Sequence, residues 1–286
     1  MKKILFAVII IISLYAIYAA FYYLWSIPHY IPRKDLSAPK TMNGVPLVIY
    51  QSWQSHIVPK YMKENILTTV ENNPQFDYYL FSDADCRAFI QANYDEDVLS
   101  AFDSLRPGAY KSDLWRYCIL YKLGGVYFDI KIVPLVPLTH LLKDNSTVFV
   151  KDFTLNHIKN ENSSKTMSNM RDCVWNGLMI SPPNNAVFKH CIDEIVESCK
   201  ERLYRGNPLD ITGPCLLGRM MKKHNGADYF KYILLNLYRE NNETNMIYYQ
   251  NIPFFKAEYP QYRAEQRAFQ NNLHYQTMYI NKQVYE

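Results

Sequence analysis

Hydrophobic positions follow two regimes along this chain. Ile4 to Trp25 contains no charged residue, and a helix of that length reaches about 33 Å at about 1.5 Å per residue, enough to span a bilayer. Lys2 and Lys3 precede it, while Tyr22, Tyr23 and Trp25 stand at its far end as interfacial aromatics. A signal peptide would have a shorter apolar stretch and a small-x-small cleavage site. Here Ile17 and Tyr18 occupy the positions two before Ala19 and Ala20, so residues 1–25 read as an uncleaved cytoplasmic tip and transmembrane anchor. Residues 26–43 carry Pro28, Pro32 and Pro39 without apolar periodicity and read as a stem.

From residue 44 to residue 286, short apolar runs alternate with helical patterns. The runs predict strands at Pro46–Tyr50, Asp77–Phe81, Gly125–Asp129, Thr147–Val150 and Leu178–Ile180. Helical periodicity predicts Lys60–Val70, Asp85–Ala92, Ala109–Leu123, Ala186–Arg202 and Pro214–Lys223. Strands separated by helices imply right-handed crossovers and a mainly parallel sheet, hence a single α/β domain.

The segment Arg106 to Lys131 carries the chemistry. Pro107-Gly108 opens a helix and Gly124-Gly125 closes it. Within that helix Asp113 and Arg116 are spaced i, i+3 and share a face, while the surrounding positions are apolar nearly all round. Such a helix is buried, and a buried charged pair must meet either itself or a ligand. The following strand ends at Asp129, and in open α/β sheets ligands bind beyond the carboxyl ends of strands. A core ion pair with a turn-forming Asp129 is the other reading of the same residues.

Composition narrows the class. The net charge of +4 comes without any run of basic residues, which argues against a nucleic-acid partner. No glycine-rich phosphate loop of the NTPase or dinucleotide type is present. Three glycosylation sequons, at Asn145, Asn162 and Asn242, suit a lumenal domain. The six cysteines have no metal-type spacing, and their pairing cannot be read from sequence.

Ser112, Asp113, Arg116, Tyr117, Leu120, Gly124, Gly125, Tyr127 and Asp129 together form a gap-free pattern. It resembles the signature of glycosyltransferase family 32, whose sugar-binding region contains a DXD motif. Pro46 to Trp53 is similar to the family's opening strand. The resemblance implies a GT-A fold with a Rossmann-like sheet, which the apolar segment and the sequons would place after a single transmembrane helix, in a type II membrane protein of the Golgi or ER. It further implies transfer of a hexose, with retention of configuration, from a nucleotide-sugar donor to a glycan or lipid-linked acceptor. Asp113, Arg116 and Asp129 would be catalytic. Gln51, Trp53, Asp83, Ser112, Tyr127 and Lys131 would bind the donor, with Trp53 stacking on its base, and Asn176 and Thr212 would lie on the acceptor side. Mn²⁺ or Mg²⁺ would be the cofactor, held by Asp129 and His274. One position departs from the family: Lys131 stands where the motif has its second Asp. Lys131 cannot ligate a metal but can neutralise a diphosphate as a point charge. Metal dependence is the expectation, since Asp129 and donor phosphates supply hard oxygen ligands. An inactive relative serving as partner subunit, and a membrane-anchored carbohydrate-binding module, fit the same residues.

Overall fold

Strand alternation divides the interior into two cores. In the strand Val48–Ser52, Val48 and Tyr50 pack to one side of a sheet and Ile49 to the other, and both sides are buried. The computed structural model describes residues 10–15, 17, 28–32, 34–143, 147–152, 173–224, 232–238, 245–270 and 273–286.

The main sheet contains nine strands. They are β1 (Val48–Ser52), β2 (Asp77–Phe81), β3 (Gly125–Phe128), β4 (Val133–Pro134), β5 (Thr147–Asp152), β6 (Val174–Ser181), β7 (Tyr232–Tyr238), β8 (Met246–Tyr249) and β9 (Ile252–Lys256). Their spatial order is β2-β1-β3-β6-β5-β7-β8-β9-β4. The helices are α1 (Lys60–Asn72), α2 (Asp83–Asn93), α3 (Glu96–Ser104), α4 (Gly108–Leu123), α5 (Ala186–Lys200), α6 (Pro214–His224), α7 (Tyr262–Phe269) and α8 (Tyr275–Ile280). Apolar side chains of α2 to α6 build the core on one face of the sheet. Those of α1, the 3₁₀ turn Leu138–Leu141 and the segment around Phe254 to Tyr262 build it on the other.

The expected mainly parallel sheet is corrected to a mixed one. Among the described residues only the pairs β1–β2, β1–β3 and β5–β7 are parallel. The later strand β6 enters between β3 and β5 and runs antiparallel to both. β7, β8, β9 and β4 continue as antiparallel neighbours. The hairpin from β8 to β9 turns at Gln250 and Asn251, whose φ values are 51° and 66°. Two positive φ values in a two-residue loop match the twist of a hairpin, but Gln-Asn is not the usual Asn-Gly signature.

The segment that carries the chemistry forms as its pattern dictates. Tyr110 and every residue from Asp113 to Leu120 are buried in α4, between the sheet and its neighbouring helices. Gly124 has φ +67°, and a Cβ there would come within 2.6 Å of the Pro183 backbone nitrogen. No other residue fits that turn without displacing the chain after β6. Serine 82 caps α2 and shares a capping box with Asp85, so the helix begins at Asp83, two residues before the predicted start.

The transmembrane anchor expected over residues 1–25 falls largely outside the described residues. Ile10 to Tyr15 and Ile17 are helical and exposed. Among the described residues no helix is long and apolar enough to cross a membrane. The three sequon asparagines, at 145, 162 and 242, also lie outside the described residues.

Two long-range ties hold the ends of the domain in place. Glu265 of α7 is fully buried, and its carboxylate accepts from the Tyr61 and Met62 backbone N–H groups at 2.8 and 3.1 Å and from the Tyr259 hydroxyl at 2.7 Å. It thereby satisfies the open N–H groups of the first turn of α1, where no side-chain cap exists. Cys173, next to β6, is disulfide-bonded to Cys215 in the first turn of α6. Glu265→Ala leaves two buried N–H groups without a partner, and a loss of about 3 kcal/mol is expected in urea unfolding. Replacing both disulfide cysteines by Ser frees a loop with a sequence separation of 42. The chain-entropy account gives a further loss of about 4 kcal/mol, measurable in the same way.

Candidate active site

At the centre of the site is the guanidinium of Arg116, only 6% exposed. From α4 it reaches Asp113 Oδ1 at 3.3 Å on its own helix and Asp129 Oδ1 at 3.2 Å beyond the end of β3. The same group donates to the Asn176 carbonyl at 2.9 Å, to Ser112 Oγ at 3.0 Å and to the Ser112 carbonyl at 3.2 Å. It also lies over the Tyr127 ring, 4.4 Å from the centroid. One buried cation is thus balanced by two carboxylates and fully hydrogen-bonded, the condition under which a buried charge is tolerated. Burial opposes that charge, yet Tyr127, Asp113 and Asp129 hold the guanidinium pKa above its ordinary value.

The two carboxylates differ. Asp113 is buried, and both its oxygens accept: Oδ1 from Asn176 at 2.9 Å, Oδ2 from Thr212 at 2.8 Å. Burial pushes its carboxyl up, while Arg116, Thr212 and Asn176 pull it down. Asp129 is half-buried. Its Oδ1 accepts from the Tyr127 hydroxyl at 2.9 Å and faces Arg116, whereas Oδ2 turns toward Lys131 at 3.8 Å and toward Gly177. Among the described residues no hydrogen bond engages Asp129 Oδ2, so this is the carboxylate oxygen left to accept from a ligand hydroxyl.

Most residues expected at the site converge on it, though several in other roles. Gln51 is fully buried, accepting from Tyr78 at 2.8 Å and directing its amide at the Asp129 carbonyl at 3.4 Å. It therefore steadies the strand end from beneath. Ser112 holds Arg116 and meets Ser52 at 3.0 Å. Asn176 and Thr212, expected on the acceptor side, both donate to Asp113, each lying close in sequence to one cysteine of the Cys173–Cys215 bond. Trp53 is 5% exposed and packed in the core, with no face free to stack on a base. Asp83 lies exposed in the first turn of α2 and hydrogen-bonds to none of the site residues. His274 is exposed and caps α8, accepting from the Gln276 N–H at 3.3 Å.

Two aromatic residues complete the site without having been anticipated. The Trp175 ring folds back over Gly177, where a Cβ would lie 2.5 Å from the indole and 3.0 Å from Asp129 Oδ2. Tyr262 arrives from α7. Lys131 extends between them, its ammonium 6.0 Å from the Trp175 centroid and 5.8 Å from the Tyr262 centroid. The clue available in the sequence for Trp175 was its place beside Asn176-Gly177. Nothing local pointed to Tyr262.

The donor set does not fit a protein-held divalent cation. Among the described residues no three His, Cys, Asp or Glu side chains form a group that could hold a metal ion. Asp113 has both oxygens engaged, and a dication at Asp129 Oδ2 would approach the Lys131 ammonium. At about 4 Å and an effective dielectric of about 20, two unit charges interact by about 4 kcal/mol, and a dication with an ammonium by about twice that.

Residues 59–148 match the family described as "Glycosyltransferase sugar-binding region containing DXD motif". The chain is 30% identical over 89 residues to "Inositol phosphoceramide mannosyltransferase 3" of Schizosaccharomyces pombe, a stretch that is 31% of this chain and 25% of that protein. It is 30% identical over 112 residues to "Initiation-specific alpha-1,6-mannosyltransferase" of Candida albicans, 37% of this chain and 29% of that one. The matched stretch thus spans less than a third of either relative. Among solved structures, "PaToxG Glycosyltransferase" overlaps 64% of this chain and 70% of its own at a TM-score of 0.46 and 11% identity, too loose an overlap to bear on the argument. The matched region contains α4, β3 and the Asp113–Arg116–Asp129 cluster. The likeness to the DXD-motif glycosyltransferases thus rests on residues 59–148, less than half of the chain, and that stretch holds the whole cluster.

Proposed function

We propose that the chain transfers a hexose from a nucleotide-diphosphate sugar to a glycan or glycolipid acceptor, on a domain of GT-A type and with retention of configuration. The observation that carries this reading is the Arg116 bridge between Asp113 and Asp129 at the carboxyl end of β3. The mannosyltransferase names of the relatives favour mannose among hexoses. In the reaction the C1–O bond to the β-phosphate breaks with its electron pair leaving on the diphosphate. A bond from the acceptor oxygen to C1 forms on the same face, and the acceptor proton passes to the departing diphosphate oxygen. Positive charge grows on the sugar ring and negative charge on the leaving group.

Each residue then has a distinct task. Asp129 Oδ2 accepts a hydroxyl of the donor and favours the ring's developing charge. Arg116 and Tyr127 fix the orientation of that carboxylate, so little reorganisation is needed when the charge appears. Asp113 is a positioning residue: it anchors Arg116 and ties Asn176 and Thr212 to the site floor. We further propose the lumen of the Golgi or ER as its location, anchored through residues 1–25. The Cys173–Cys215 bond supports an oxidising compartment.

Asp129→Asn preserves the shape of the side chain but removes its charge. Turnover with nucleotide-hexose donors should fall by at least about a hundredfold, the scale of a lost preorganised group, in a variant that still folds but melts lower because Arg116 loses one of its two counter-charges. Near-normal turnover in the folded variant would remove Asp129 from the mechanism.

A further inference from the structure

Lys131 presents a cation that the protein itself leaves largely unengaged. Its main-chain carbonyl accepts from the Tyr259 N–H at 2.9 Å, which fixes the root of the side chain. Among the described residues its ammonium has no hydrogen bond, and its nearest anion is Asp129 Oδ2 at 3.8 Å. Trp175 and Tyr262 flank it, shielding the charge without using its N–H donors. The three N–H groups of an ammonium beside a sugar-binding carboxylate are suited to phosphate oxygens.

The charge balance points the same way. Asp113, Arg116, Asp129 and Lys131 together sum to zero. A second Asp in place of Lys131 would lower that sum by two units, which is the charge of one divalent cation. The Lys therefore supplies, within the chain, the charge that a bound dication would bring to a pair of motif carboxylates. Its ammonium also stands near the Asp129 oxygen that such an ion would need.

We propose that Lys131, held between Trp175 and Tyr262, is the counter-charge for the donor's diphosphate, and that this site binds a nucleoside diphosphate without a divalent metal. The inference rests on the donor reading given above and adds to it the means of holding the leaving group. It reverses the metal dependence expected from the family likeness.

Isothermal titration of the full chain with UDP and with GDP, in chelator and then in Mn²⁺, tests it. At least one of the two should bind, with affinities in chelator and in Mn²⁺ agreeing within about threefold. Lys131→Ala should weaken that binding by at least about tenfold, the scale of one charge-assisted contact, while Lys131→Arg retains most of it. Lys131→Asp should bind only when Mn²⁺ is added, and melting curves close to wild type would establish that the variants are folded. Binding by the wild type that disappears in chelator and returns with Mn²⁺ would overturn the proposal and leave the donor reading intact. No binding of either nucleotide under both conditions would overturn both. Undiminished binding by a folded Lys131→Ala variant would exclude Lys131 as the counter-charge.

Discussion

Burying a guanidinium between two carboxylates is the constraint around which this site is arranged. Arg116 can lie beneath the sheet's end only because Asp113 and Asp129 neutralise it and because Ser112 and the Asn176 carbonyl take its remaining donors. Removing any partner would leave a charge unpaired in a low-dielectric interior, where such a vacancy is costly. The bridge therefore joins four parts of the chain: α4, the end of β3, the start of β6 and the turn before α6. Each is also secured elsewhere, by Gly124, by Gln51 and by the Cys173–Cys215 bond.

The bridge makes the two carboxylates unequal. Asp113 has both oxygens engaged and serves to hold the floor of the site. Asp129 keeps one oxygen directed toward Lys131 and Trp175, on the side where a ligand would lie. Electrostatic preorganisation of this kind does not require the residues to move when charge develops. Aromatic rings at the rim complement it, since Trp175 and Tyr262 lower the local dielectric around the Lys131 ammonium.

The site was half legible in the sequence, and the division has a physical cause. Local patterns encode local structure. An apolar helix with an i, i+3 ion pair, a glycine pair and a strand ending in Asp can be read directly, and α4 and β3 lie within a residue of their predicted bounds. β2 matches its prediction residue for residue. Contacts across the fold leave no such mark. Asn176 and Thr212 were singled out, yet their donation to Asp113 depends on β6 entering the sheet antiparallel beside β3. Tyr262 depends on α7, which Glu265 fixes against the start of α1 some 200 residues earlier. The hairpin of β8 and β9 was missed because a Gln-Asn turn and sparse alternation give a weak signal.

The central claim is that donor chemistry takes place between Asp129, Arg116 and Lys131. A crystal structure of the full chain with a bound nucleoside diphosphate tests it most directly. The account predicts phosphate oxygens at about 3 Å from the Lys131 ammonium, the separation of a charge-assisted hydrogen bond, with the Asp113–Arg116–Asp129 bridge unchanged. A nucleotide seated elsewhere on the domain, with Lys131 still lying unengaged between Trp175 and Tyr262, would contradict it.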